Sequence, residues 1–207
     1  MRAWTGGLAA TILSVWLAGC AGSPPTRFYV LTPVAAAEPG SAKPAAARPI
    51  AVGLRRVTLP EYLDRPQIVT RVSPTKVDVA EFDRWAAPLS EAFAGALAEN
   101  LAVMIPTDDV AVFPWPRAAG IEYEIAVDVT RFEGKLGGSC ELVARWTLID
   151  RREKNALITG RSTFSEPAGG TYETMAAAHS RLVTALGRDI AAAVRQVAGA
   201  GSRAQGR

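Results

Sequence analysis

Three consecutive segments that alternate apolar and polar residues constrain the fold of this 207-residue chain more than any other feature. They span residues 121–129, 140–148 and 157–164. Alternation with a period of two places apolar side chains on one face of a strand and polar side chains on the other. Because residues 134–139 are rich in glycine and supply a turn, the three segments predict an antiparallel meander with one buried face.

Two amphipathic helices flank this meander in the sequence. Asp83 precedes the first helix, Pro88 fits its early turn and Pro106 ends it. The second helix starts near Thr171 and ends at Gly199, with an apolar stripe between them. The stripe of the first helix recurs at four-residue spacing and consists of Leu89, Phe93, Leu97 and Leu101.

Short strands before and after the first helix complete the predicted fold. They are residues 27–31, 50–55, 67–72, 76–79 and 110–113. Strands on both sides of a helix, followed by a meander and a second helix, predict a single-domain α/β fold in which helices cover a mixed β-sheet. We expect this domain to span residues 27–198. An Ala/Pro-rich loop is predicted at residues 35–48 and a flexible tail at residues 199–207.

The first twenty residues carry the pattern of a lipoprotein export signal. Arg2 is followed by an apolar stretch, which ends in Leu17-Ala18-Gly19-Cys20. A membrane-spanning helix needs about 20 apolar residues, and this stretch is shorter. We therefore predict a signal peptide over residues 1–19 and acylation of Cys20, by palmitate among other chains, with residues 20–26 as lipid anchor and tether.

Charge and composition narrow the possible functions. The formal net charge is +3, and loss of the signal peptide removes Arg2, which leaves 22 basic residues against 20 acidic ones. The basic residues are scattered along the chain instead of forming a stripe with interleaved aromatic residues, which argues against nucleic acid as a partner. A hydrophobic fraction of 49% is enough for one globular core.

Reactive side chains are few. With Cys20 lipidated, Cys140 has no intramolecular disulfide partner, and its place in a strand predicts a buried small hydrophobe. His179 is the single histidine and lies beside the apolar stripe of the second helix, which predicts a partly packed or surface imidazole instead of a catalytic base. No serine lies in a Gly-x-Ser-x-Gly elbow. We therefore predict no catalytic residue, no metal site and no cofactor.

Several motifs between residues 17 and 104 resemble one family. The motifs are the lipobox Leu17-Ala18-Gly19-Cys20, the aromatic strand Phe28-Tyr29-Val30-Leu31, the LPEYLDRPQIVTR stretch at residues 59–71, and the helix opening Asp83-Arg84-Trp85 with Ala87-Pro88-Leu89. Together they are similar to the pattern of the PqiC-like auxiliary lipoproteins of lipid-trafficking ABC systems. From residue 105 onward, only the order of strands and the closing helix agrees.

The resemblance implies a non-enzymatic partner of an MCE-domain protein, in a system that moves lipids between the inner and outer membranes and supports envelope integrity. Because Ala21 and Gly22 follow the cysteine in place of an aspartate, resemblance to sorted bacterial lipoproteins implies the periplasmic face of the outer membrane. Two other functional classes are compatible with the sequence. One is an outer-membrane assembly or cell-wall-binding lipoprotein, and the other is a tethered periplasmic hydrolase.

One segment of the resemblance is predicted to contact a protein partner or a second copy of the chain. Two prolines restrict its backbone, which reduces the ordering entropy lost on binding. Tyrosine and arginine are enriched among interface hot spots, and the leucines are expected to add apolar area. The predicted contact residues are Leu59, Pro60, Tyr62, Leu63 and Arg65.

Overall fold

The computed structural model describes residues 24–33, 50–105, 107, 110–116 and 120–205, with side chains as far as residue 199. Within these ranges one mixed sheet packs against two helices, which confirms the predicted single-domain α/β fold. The helices are α1 (Leu89–Met104) and α2 (Tyr172–Gln205). The strands are β1 (Arg27–Tyr29), β2 (Val52–Leu54), β3 (Gln67–Ser73), β4 (Lys76–Trp85), β5 (Val110–Val112), β6 (Tyr123–Gly134), β7 (Ser139–Asp150) and β8 (Asn155–Pro167).

Strand β6 is the centre of the sheet. Along one edge it pairs antiparallel with β7, and β7 pairs antiparallel with β8, so the predicted meander is confirmed. Along its other edge β6 pairs in parallel with β2 near Tyr123 and with β3 near Gly134. The sheet continues from β3 to β4 and β1, and from β2 to β5. Parallel pairs on one side of β6 and antiparallel pairs on the other make the sheet mixed.

Both helices cover the same face of the sheet. The predicted stripe of α1 is confirmed, since Leu89, Phe93, Leu97 and Leu101 are at most 2% exposed. Phe93 contacts Phe132 of β6 edge to face, with ring centroids 5.0 Å apart. The buried side chains of α2 include Met175, Leu182, Leu186, Ile190 and Val194. None of the described helices is long and apolar enough to span a membrane.

The alternation in the meander sorts its side chains between two faces. Ile125 and Val127 of β6, and Leu142 of β7, are buried against the helices. The alternate residues point to the opposite face, which no described helix covers, and we call this the open face. It includes Ala126, Asp128 and Thr130 of β6, Arg145 and Thr147 of β7, and Arg161 and Thr163 of β8.

The prediction that Asp83-Arg84-Trp85 opens the first helix is wrong, because β4 continues to Trp85 and α1 begins at Leu89. Asp83 is a sheet residue whose carboxylate accepts hydrogen bonds from Arg27 Nη2 at 2.8 Å and from the Tyr29 hydroxyl at 2.7 Å. These bonds join β4 to β1, which pairs with it in parallel and ends at Tyr29 instead of residue 31.

The prediction that the last helix ends at Gly199 is also wrong, since α2 continues to Gln205. A glycine inside a helix costs only about 1 kcal/mol relative to alanine, and alanine on each side favours continuation. The tail predicted to be flexible is therefore helical as far as residue 205. The predicted signal peptide with Cys20 and the Ala/Pro-rich loop at residues 35–48 lie outside the described residues.

Candidate functional site

The loop that leads from β2 into β3, residues 59–66, is held in place by its own backbone and by its neighbours. The Leu63 N–H donates to the Pro60 carbonyl at 2.9 Å, which closes a turn. The Pro66 carbonyl accepts a hydrogen bond from the Trp85 N–H at 2.7 Å, which joins the end of the loop to β4. Upstream, Thr58 bonds to Val127 and Val129 of β6 through its backbone. The 59–66 loop is therefore an ordered part of the sheet edge.

The leucines of this loop do not lie on the surface. Leu59 is 8% exposed and Leu63 is 2% exposed, and both belong to the hydrophobic core. This corrects the expectation that they add apolar area to a contact surface. They hold the loop against the domain instead. Tyr62 is 39% exposed and Arg65 is exposed, so these two of the five predicted contact residues are accessible at the surface, and Pro60 in part.

The loop also caps helix α1. Pro88 occupies the N-cap position, and its side chain accepts no hydrogen bond from the first turn. The carboxylate of Asp64 accepts one from the Ser90 N–H at 3.1 Å. A negative charge near a helix N-terminus also interacts favourably with the helix dipole. Sequence reasoning missed this role, because Asp64 and Ser90 lie 26 positions apart and no local cap pattern links them.

A buried carboxylate lies behind Tyr62. The side chain of Glu133, at the end of β6, is only 2% exposed. It accepts hydrogen bonds from the Tyr62 hydroxyl at 3.1 Å and from Arg71 Nε at 2.8 Å. Arg71 Nη2 lies 2.6 Å from the same carboxylate, and the Phe132 N–H donates to it at 3.2 Å. Four polar contacts of this kind satisfy the buried charge and hold Tyr62 in one position.

The electrostatics of this cluster follow from the buried charge. The hydrogen bond to Glu133 raises the pKa of Arg71, so the guanidinium is firmly protonated. Burial raises the pKa of Tyr62, and the Glu133 carboxylate raises it further, so the phenol stays neutral and donates its proton. No sequence signal indicated Glu133. A bulge between Val129 and Arg131 shifts the register of β6, so that Phe132 faces the helices and Glu133 lies on the opposite face, where Tyr62 and Arg71 cover it.

A shallow cavity of about 320 Å³ adjoins this cluster. Val72, which is 49% exposed, adds apolar surface to it, and Arg131 is ion-paired with Glu141 at its edge. An exposed aromatic ring beside guanidinium groups and an apolar patch is the composition found at protein interfaces. The residues lining the cavity include Arg71, Val72, Arg131, Glu133, Lys135 and Glu141.

Cys140 and His179 are brought together in the core. The Cys140 Sγ lies 3.6 Å from Nδ1 of His179, and both residues are at most 1% exposed. This corrects the expectation of a partly packed or surface imidazole and confirms that Cys140 is buried. Nδ1 also lies 2.9 Å from the Met175 carbonyl oxygen, which can only accept, so the tautomer with the proton on Nδ1 satisfies this contact.

This pair lacks the features of a nucleophilic thiol. Burial raises the pKa of Cys140 to about 12 and lowers the pKa of His179. Both groups are therefore neutral near pH 7, whereas a reactive cysteine needs a thiolate and access to solvent. Trp85 and Phe132 contact the imidazole edge to face. In the described part of the chain, no three His, Cys, Asp or Glu residues converge on a possible metal position.

A comparison with known protein families identifies the family of this chain. Residues 29–191 match the family of ABC-type transport auxiliary lipoprotein components. The chain belongs to this family. A relative in Escherichia coli strain K12, the intermembrane transport lipoprotein PqiC, is 29% identical over 148 residues, or 72% of this chain and 74% of the relative. A protein of the same name in Shigella flexneri matches to the same extent.

Two solved structures have the same fold as this chain. A protein from Xanthomonas campestris superposes with a TM-score of 0.69 at 17% identity, covering 86% of this chain and 99% of the other. An uncharacterized protein superposes with a TM-score of 0.65 at 18% identity and covers 83% and 99%. At these identities the likeness concerns the fold alone.

Proposed function

We propose that this protein is a periplasmic lipoprotein, anchored in the outer membrane through Cys20, that acts as a non-enzymatic auxiliary subunit of an MCE-type intermembrane lipid transport system. The observation that carries the proposal is the family match over residues 29–191. The relative named as an intermembrane transport lipoprotein, which matches over 148 residues, supports the transport role. The supply of energy then belongs to other subunits, and this chain contributes a binding surface.

The exposed side of the 59–66 loop is the proposed contact surface. Tyr62 and Arg65 are accessible, while Leu59 and Leu63 hold the loop from below. The hydrogen bond from Tyr62 to Glu133 orders the aromatic ring before any partner binds. A preordered ring loses less conformational entropy on association, which favours affinity. The partner we propose is the MCE-domain protein, with a second copy of this chain as the other candidate.

A non-enzymatic role is supported by the state of the one described cysteine and histidine. Both are neutral and enclosed by aromatic and aliphatic side chains, so they offer a substrate no reactive atom. Burial of this pair instead contributes to packing between β7 and α2. This pair therefore gives no support to the hydrolase hypothesis.

Site-specific photocrosslinking in whole cells tests the proposal. A benzophenone amino acid is placed at Arg65, in the loop, and for comparison at Lys154, in the exposed turn between β7 and β8. We expect the MCE-domain protein to be captured from position 65 and not from position 154. Capture of a β-barrel assembly factor or of peptidoglycan from position 65 would favour the alternative role in outer-membrane assembly or cell-wall binding. Fractionation of the membranes checks the outer-membrane location in the same cells.

A further inference from the structure

A second cavity lies on the open face of the sheet, and none of the described residues that line it belongs to the 59–66 loop. Its volume is about 340 Å³, which is near the lower end of cavities that hold small molecules. Strands β6 and β7 form its floor, and the residues after β2 and β5 form its wall. We call it the arginine cavity. Its lining includes Arg55, Arg56, Phe113, Asp128, Arg145 and Thr147.

The arginine cavity has an excess of positive charge. Three guanidinium groups and one carboxylate, that of Asp128, leave a formal charge of +2. Among the described residues, no carboxylate forms an ion pair with Arg55, Arg56 or Arg145, although exposed arginines elsewhere in the domain, such as Arg181, have such partners. Asp128 is opposite Arg145 in the strand register but does not reach ion-pair distance.

The pairing of β7 with β8 places a further positive charge beside the arginine cavity. Arg145 of β7 lies directly opposite Arg161 of β8. Like charges in facing positions of an antiparallel pair destabilise a sheet, so this arrangement is unfavourable in the absence of an anion. Next to it, the hydroxyl groups of Thr147 and Thr159 lie 3.4 Å apart and offer neutral donors and acceptors. An anion placed over Arg145 would therefore relieve repulsion and gain hydrogen bonds at the same point.

Aromatic residues form an apolar shelf at the edge of the cavity. Phe113 is 47% exposed and contacts Trp115 edge to face, with ring centroids 5.5 Å apart. Trp115 in turn lies over Gly53 of β2, where an added Cβ would be 3.2 Å from the indole. The absence of a side chain at Gly53 therefore lets the shelf sit close to the sheet. A simple inorganic anion would gain nothing from this shelf, whereas a molecule with an apolar part would.

We propose that the arginine cavity binds the phosphate group of an anionic phospholipid, with Arg55, Arg56 and Arg145 around the phosphate and Phe113 against the apolar part next to it. Arginine forms paired hydrogen bonds to phosphate oxygens, and its planar fork suits this geometry better than a point charge. The proposal depends on the geometry of this cavity and is independent of the partner proposed for the 59–66 loop.

Titration calorimetry on the full chain, purified in a neutral detergent, tests the proposal. The ligands are water-soluble dihexanoyl phosphatidic acid, dihexanoyl phosphatidylcholine and inorganic phosphate. We expect phosphatidic acid to bind more tightly than the other two, and we expect Arg145→Gln to weaken it by about tenfold or more, as for the loss of a charge-assisted hydrogen bond. Arg188→Gln is the matched control, because Arg188 is an exposed arginine of α2, in the helical layer.

A second variant separates a lipid from a free anion. Phe113→Ala should weaken phosphatidic acid several-fold and leave the affinity for inorganic phosphate unchanged. Equal affinity for phosphate and phosphatidic acid, insensitive to Phe113→Ala, would overturn the lipid assignment. No saturable binding by the wild type, or an equal effect of Arg145→Gln and Arg188→Gln, would overturn the site itself. Thermal midpoints of all variants establish that each one is folded.

Discussion

Trp146 and Gly160 face each other in register on β7 and β8, and a Cβ added to Gly160 would lie less than 3.0 Å from the Trp146 indole. The indole Nε1 donates to the Ser162 hydroxyl at 3.0 Å, and this hydroxyl donates to Asp189 of α2 at 2.8 Å. The glycine thus leaves space for a ring that links the meander to the last helix.

We predict that Gly160→Ala destabilises the domain by about 1 to 3 kcal/mol, the range for overpacking a well-packed site. The indole must move and lose its bond to Ser162. Gly95→Ala is the matched control, since Gly95 lies in α1 with open space around the added methyl group, and it should raise stability by about 0.5 to 1 kcal/mol. Urea unfolding of both variants measures the difference. Equal free energies of unfolding for the two variants would contradict the prediction, because they would show that the Trp146 indole moves aside without loss of stability.

The buried stripe of α1 gives a second prediction. Leu97→Asp places an unpaired charge where the leucine is fully buried against α2, and it should cost at least about 4 kcal/mol, a large part of a typical domain stability. Glu91→Ala, at an exposed position of the same helix, should change stability by less than about 0.5 kcal/mol. Thermal midpoints compare the two, and similar midpoints would contradict the assigned face.

The pH dependence of stability should depend on His179. Burial lowers its pKa below 6.5, so the unfolded chain binds a proton at a higher pH than the folded chain does. The stability linked to this group is therefore fully present above about pH 6.5 and is lost as the pH falls towards and through the folded pKa.

Urea unfolding at pH 7.5 and pH 5.5 measures this effect, with His179→Gln as the variant that cannot titrate. The wild type should lose more free energy of unfolding between the two pH values than the variant loses. Comparing the difference between pH values within each protein removes the cost of the substitution itself. An identical loss in both proteins would assign the pH dependence to other groups.

The proposed contact surface predicts that binding and stability can be separated. Arg65→Glu should reduce capture of the MCE partner, or self-association, with a change in thermal midpoint of only a few degrees, because its side chain is exposed. Tyr62→Ala should reduce the same binding, and it should also cost about 1 to 3 kcal/mol of stability because it removes a hydrogen bond to the buried Glu133 carboxylate. Leu63→Ala, in the same loop, should instead destabilise the domain by about 2 to 5 kcal/mol, since this leucine is buried. Pull-down from membranes and a thermal melt measure both properties. A Tyr62→Ala variant that binds normally would place the interface elsewhere.

The lipid anchor is tested through Cys20→Ser. A serine is not an acyl acceptor for this pathway, so the variant should accumulate as an unacylated and uncleaved precursor. Metabolic labelling with a fatty acid and the mass of the product measure both steps. A mature wild-type chain without label, or normal processing of the variant, would contradict the lipoprotein prediction.

The elements that the sequence determines by itself are those with a local period. The alternation around Ile125 and Leu142 predicted strands with one buried face, and the spacing of Leu89 to Leu101 predicted the buried stripe of α1. These predictions succeeded because a period of two or about 3.6 residues reflects which side chains share a face, whatever those faces later contact. The same local reasoning placed the Gly134 to Ser139 turn correctly.

Tertiary structure decided those features that depend on contacts between residues far apart in the sequence. Asp83 looked like a helix start, but pairing with β1 made it part of a strand. Leu63 and Tyr62 are adjacent in one motif, yet the loop turns the first into the core and directs the second towards Glu133, 71 positions away. Packing likewise buries His179 beside Cys140. Strand register places Arg145 opposite Arg161. A linear sequence carries no local signal for such contacts, because their free energy arises only when separate elements come together.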